Sequence, residues 1–168
     1  MRRPTLLSRA GIMNAAMILG FVNVFFAGLL AGMEILIHYG LRVPMQVLSD
    51  RSQLQLRQAL VLRFRVLVPA FFVPTAVSGI AVAGLDSASS GAWFRWAGVV
   101  AVIVWIAIRI IGTIPINSAT LTWSIDAPPT NWRDLIDHAE RFHIVGTWAA
   151  VIAFASFLAG LALQLAVY

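Results

Sequence analysis

The sequence predicts an all-α polytopic membrane protein: a four-transmembrane-helix bundle with an interfacial amphipathic segment between helices 1 and 2. Composition is the first observation behind this. Of 168 residues, 60% are hydrophobic and only 11% charged, with a mean hydropathy of +0.87. A soluble domain carries roughly 25% charged residues. This chain therefore has too little polar surface to cover a globule of its size, which excludes soluble and disordered classes. The second observation is length: four apolar stretches each reach the ~20 helical residues needed to cross a hydrocarbon layer of about 30 Å. They fall at about 11–39, 66–85, 93–116 and 144–167, within one transmembrane domain spanning 1–168. The third is charge placement. The net charge is +5 and all 12 basic residues are Arg, mostly in the leader and loops, a pattern of anchoring at lipid headgroups rather than binding nucleic acid. The chain has no cysteine, so disulfides, thiolate metal sites and a cysteine nucleophile are excluded.

Each element follows from its local pattern. The apolar run from Gly11 to Tyr39 is nearly twice the length of a signal-peptide core, so it reads as a retained helix behind Arg2, Arg3 and Arg9. Its Gly28 and Gly32 have a small-xxx-small spacing that lets another helix backbone come close. Between Asp50 and Leu62, Leu54, Leu56, Leu60 and Val61 alternate with Arg and Gln, which predicts an interfacial amphipathic helix capped by Ser49 or Asp50. The second span contains Pro69 and Pro74 and is expected to kink rather than break. Trp93 and Trp96 place the start of the third span at the interface. A polar loop from Asn117 to Asn131 leads to a helix capped by Thr130 that starts charged and turns wholly apolar from Ile144. With four spans, both termini lie on one side, and the arginine count places them outside the cytoplasm. The expected location is a bacterial cytoplasmic membrane.

Ionisable residues within spans are the informative ones, since a charge at the bilayer centre costs on the order of 3 kcal/mol even on insertion scales. Asn23, Ala27, Ala31, Glu34 and His38 share one stripe of the first helix, which must face the bundle. In the third helix Arg109 sits among Ile and Val, with Thr113 and Asn117 continuing its face; Glu34 is its obvious partner. In the fourth helix Glu140 and His143 share a face that Gly146 and Thr147 extend into the membrane, leaving His138 at the rim. Glu34, His38, His138, Glu140 and His143 would thus gather at one end of the bundle. Helical bundles build carboxylate and imidazole metal sites in this way, and the ligand set suits copper, iron, manganese or zinc better than calcium. A metal-free acid/base cluster is the equal alternative.

The segments "TIPINSATLTW" and "WRDLIDHAERFHIVGT", with the Gly-rich "FAGLLAGMEILIH" of the first span, resemble the anthrone oxygenase-like family of small four-helix integral membrane proteins. The family motif maps onto Pro115, Asn117 and His143. This chain has Gly146 where the family usually has Arg, and Ala139 where it usually has Trp. The resemblance implies an oxygenase or oxidase of secondary metabolism that uses O₂, without flavin or haem, on a small, hydrophobic, aromatic or polyketide-like substrate. His143, Glu140, Arg109 and Asn117 are then the catalytic candidates. Two other classes remain: a non-catalytic transporter or assembly subunit with a structural Glu34–Arg109 pair, and a haem protein with His38 and His143 as axial ligands. A homo-oligomer is compatible with all three.

Overall fold

The computed structural model describes residues 6–85 and 90–166. It is all-helical, and four helical stretches are long and apolar enough to cross a membrane: Asn14–Gln46, Asp50–Leu85, Ala92–Thr120 and Trp132–Leu165. The chain is an integral membrane protein by this measure, a four-helix bundle as its composition requires. Two of the four stretches are composite. The first joins α1 (Leu6–Ile35), a π segment (Leu36–Leu41) and α2 (Arg42–Gln46). The second is the single helix α3 (Asp50–Leu85). The third joins α4 (Ala92–Ile108), a π segment (Arg109–Thr113) and α5 (Ile114–Thr120), and the fourth is α6 (Trp132–Leu165).

Three boundaries differ from expectation. The amphipathic segment is not a separate interfacial helix, because it continues without a break into the second span through Pro69 and Pro74. Leu54 and Val61 are buried against the bundle, so this half of α3 is held by packing as well as by the interface. Ser49 does cap α3, its Oγ accepting from Ser52 N at 3.4 Å. At α6 the N-cap is Asn131, with no side-chain cap bond, in place of the expected Thr130. Finally, Asn117 is helical, the third stretch running to Thr120.

Both π segments lie just upstream of a proline. Pro44 and Pro115 lack an N–H, and their rings clash with the carbonyls four residues back, at Gly40 and Ile111. Those carbonyls belong to the π segments, where the wider i→i+5 turn relieves the conflict at the cost of one extra residue. The consequence is a change of register at one end of the bundle, where His38 and Arg109 lie.

The opposite end is closed by small residues. Phe157 of α6 lies against Gly79 of α3 and Gly98 of α4, and a Cβ at Gly98 would stand 2.6 Å from its ring. Gly91 and Gly160 bring the backbones of the third and fourth stretches together. Here Asn23 Nδ2 donates to Thr75 O at 2.9 Å and to Ser78 Oγ at 3.1 Å, joining α1 to α3. Arg95 is buried and donates to Gln164 Oε1 at 2.8 Å. The outer faces carry Ile18, Phe21, Phe25, Val77, Ile103 and Ile152, all exposed, the surface expected of a lipid-facing bundle.

Gly98→Ala should destabilise the protein by about 1–3 kcal/mol through overpacking against Phe157. Gly32→Ala, where a Cβ meets nothing within 4 Å, should leave stability unchanged. Thermal unfolding of the two variants in the same detergent measures the difference.

Candidate functional site

The predicted stripe of α1 is buried along its whole length: Asn23, Ala27, Ala31, Glu34 and His38 all face the interior. Glu34 is fully enclosed at 0% exposure. The π turn that follows brings His38 into the interior too. From the other side, the π segment of the third stretch delivers Arg109, and the guanidinium forms a buried ion pair with Glu34. The pairing expected from the sequence is therefore present, and it links the first and third stretches.

His143 of α6 completes this centre. Arg109 Nη2 lies 3.3 Å from its Nε2, and Glu34 Oε2 lies 3.7 Å from the same nitrogen. A guanidinium can only donate, so Nε2 is the acceptor and the proton of the neutral ring is on Nδ1. Thr147 Oγ1 stands 3.2 Å from that Nδ1 and itself donates to His143 O at 2.9 Å, so each group has a consistent role. The His38 ring lies beside that of His143, with centroids 5.8 Å apart and planes 18° apart.

Toward the end of the bundle the chain of charges continues. His38 Nδ1 is 3.9 Å from Glu140 Oε2, Glu140 Oε1 is 3.5 Å from Arg57 Nη1, and Arg57 Nη2 donates to Asn117 Oδ1 at 3.3 Å. Four of the candidate residues, Glu34, Arg109, His143 and His38, thus meet in the interior. Glu140 joins them through His38, and Asn117 through Arg57, which is paired with Glu140; sequence reasoning assigned Arg57 to the interfacial helix and missed it as part of the site. Trp105, packed beneath Arg109 with its ring centroid 5.4 Å from the guanidinium carbon, was also missed, as was the role of Thr147. Pro115 acts through the backbone, next to the π segment that carries Arg109.

The expected metal set is not assembled. His138 is exposed and packs edge-on against Phe142, 5.1 Å between centroids, because it lies on the opposite face of α6 from His143. Glu34 is engaged by Arg109, and Glu140 by Arg57. Among the described residues, no three His, Asp or Glu side chains come together as ligands for an ion. Both ring nitrogens of His143 have partners, so it offers none to a haem iron without giving one up.

A cavity of about 300 Å³ opens beside this cluster. Its wall includes Arg109, His143, Glu140, Trp105 and Asn117, and its apolar sides come from α3 and the third stretch, among them Phe64, Val68, Ile106 and Ile114. Pro69 and Ile114, at its edge, are exposed on the lipid-facing surface. The size and lining match those of small-molecule sites, mostly apolar with a few convergent polar groups. Around it several buried donors lack an acceptor: Arg109 Nε, Arg57 Nε, Trp105 Nε1 and Thr113 Oγ1. Such groups are rare in folded proteins and mark places where a partner is missing.

Glu34→Gln removes the counter-charge of a buried guanidinium and should cost about 3–5 kcal/mol. The double variant Glu34→Leu with Arg109→Leu, which leaves no charge unpaired, should recover most of that loss in the same unfolding measurement. No family model matches this chain, and no curated protein or solved structure matches it either.

Proposed function

We propose that this protein is a membrane-embedded oxygenase or oxidase that uses O₂ to convert an activated CH₂ group of a small aromatic or polyketide-like metabolite into a ketone. The observation that carries the reading is the placement of one neutral imidazole, His143, against Arg109 on the wall of an apolar cavity at the lipid-facing surface. Flat aromatic substrates and O₂ both partition into the bilayer, and a site reached from that phase is reached by both.

The contacts suggest an order of events. In the resting protein the lone pair of His143 Nε2 is held by Arg109. A substrate carbonyl or phenol oxygen entering the cavity competes for the guanidinium, and its gain releases Nε2. The freed nitrogen takes a proton from the carbon flanked by the carbonyl and the ring. Arg109 then stands beside the oxygen on which the enolate charge collects. The enolate gives one electron to O₂, and the resulting carbon radical and superoxide combine to a hydroperoxide anion. That anion takes the proton back from the His143 imidazolium. Loss of water from the neutral hydroperoxide leaves the ketone, so that one CH₂ and one O₂ become one C=O and one H₂O. Glu34 keeps Arg109 in place throughout, and Glu140 and His38 connect the imidazole to the polar end of the bundle.

The alternative of a non-catalytic transporter or assembly subunit draws its support from the Glu34–Arg109 lock, which would serve any four-helix membrane protein. The two readings separate in one assay. Detergent-purified protein given an anthrone should take up O₂ at an electrode, and His143→Ala should lower the rate by about 10²–10⁴-fold, the usual contribution of a general base. His38→Ala should lower it too. Full turnover by both variants, or no uptake by the unaltered protein across a panel of anthrones and related phenols, would remove the oxidase reading. A Soret band or stoichiometric copper or iron in the same preparation would overturn its cofactor-free form.

A further inference from the structure

A second cavity, of about 310 Å³, adjoins the first. It lies among α2, the start of α3 and the start of α6, and its lining is the more polar of the two, with Gln53, Asp50, Arg133 and Asp137 beside Trp132 and Ile136. At its outer edge Arg133 Nη2 donates to both carboxylate oxygens of Asp50, at 2.5 and 2.6 Å. Four residues line both cavities: Arg42, Met45, Arg57 and Glu140. An apolar compartment open toward lipid and a polar compartment at the bundle's end therefore share one wall.

The charge at that wall is unbalanced. Four arginines line the apolar cavity. Arg109 is neutralised by Glu34 and Arg57 by Glu140, whereas the ion pairs among the described residues include neither Arg42 nor Arg65. Arg57 also keeps a buried Nε with no acceptor. On the polar side the arginines Arg42, Arg57 and Arg133 are matched in number by Asp50, Asp137 and Glu140, whereas the lining of the apolar cavity includes the single carboxylate Glu140. A cation beside an apolar cleft, next to a donor that lacks an acceptor, asks for a ligand that brings an anionic oxygen and an apolar body together.

We infer that the two cavities form one bipartite site for an anionic amphiphile taken from the bilayer. Its acidic head sits between Arg42 and Arg57 at the shared wall, and its apolar body lies in the cleft between α3 and the third stretch. The polar cavity keeps the head in contact with water, so the head need not be fully desolvated to bind. The inference rests on the cavity used in the oxidase reading and names its substrate class: the reacting carbon belongs to the apolar body, beside His143, and the acidic head is its handle.

Palmitic acid carrying a mid-chain diazirine tests this in the full-length protein in detergent, with photolabelled peptides located by mass spectrometry. Saturable labelling of peptides containing Phe64, Val68 and Ile106, displaced by unlabelled palmitate, is expected. The methyl ester of the same probe, which lacks the anion, should label these peptides at least tenfold more weakly, and Arg42→Gln should lower the affinity of the acid by a similar factor. Equal labelling by acid and ester, or labelling confined to exposed α1 residues such as Phe21 and Phe25, overturns the inference whatever the fate of the Arg42 variant. Oxidation of anthrones without saturable labelling by the acid would refute the amphiphile alone. Saturable, anion-dependent labelling with no O₂ uptake on any substrate would refute the oxidase alone.

Discussion

The structure depends on an ion pair that lipid would not tolerate at its surface. A guanidinium in a span must either find a counter-charge or reach water, and Arg109, buried in the bundle, takes the first course. Glu34 is the acidic residue that meets it, and once the two are joined, the first and third stretches are fixed in rotation and in depth. His143 is then the third member of a centre whose position leaves little freedom. Its lone pair can face only the guanidinium, and Thr147, one turn on, takes the opposite nitrogen. A buried pair of this kind is weak evidence of added stability, because desolvation offsets most of its attraction. What it provides is specificity: helices in lipid have no hydrophobic force to set their rotation, and a charge that must be matched supplies one.

Much of this was legible in the residues. The stripe from Asn23 to His38 could be read because helical periodicity and the cost of burying polar groups point the same way, and Arg109 because it is an isolated cation in an apolar run. Arg57 and Arg95 were harder. Arg57 occurs among Gln and Arg at what reads as an interface, and nothing in its spacing shows that α3 continues and turns it toward Glu140. Arg95 stands between Trp93 and Trp96, where a cation is ordinary, yet it is buried and bonded to Gln164 sixty-nine residues away. A contact that distant leaves no local trace. The metal set failed for a related reason. Shared helix faces show which side chains are near one another, but they do not show which have already been taken by a stronger partner.

The two π segments were invisible to periodicity because a one-residue insertion shifts the register by about 100°, which a pattern of Ile, Leu and Val absorbs without a visible break. The signal was present in Pro44 and Pro115, each a few residues downstream. Since His38 and Arg109 both sit within π segments, the wide turns are part of how the centre is assembled. A regular helix through either segment would rotate the residues beyond it away from their present neighbours, and Asn117, beyond the second, would lose its place beside Arg57.

Phe157 bears on the shape of the cleft as well as on packing. It lies 14 residues along α6 from His143, roughly 21 Å at the helical rise, and it is seated against glycines of both α3 and α4. On the other side of the cleft beside Arg109, Gln58 Nε2 donates to Thr120 O at 2.9 Å and to Trp123 O at 3.0 Å, and Arg57 to Asn117. The cleft is thus framed at both ends, by an aromatic ring wedged among glycines and by amide and guanidinium clasps on the end of the third stretch. Its width is set by two fixed points rather than by one, and a ligand must fit the frame between them.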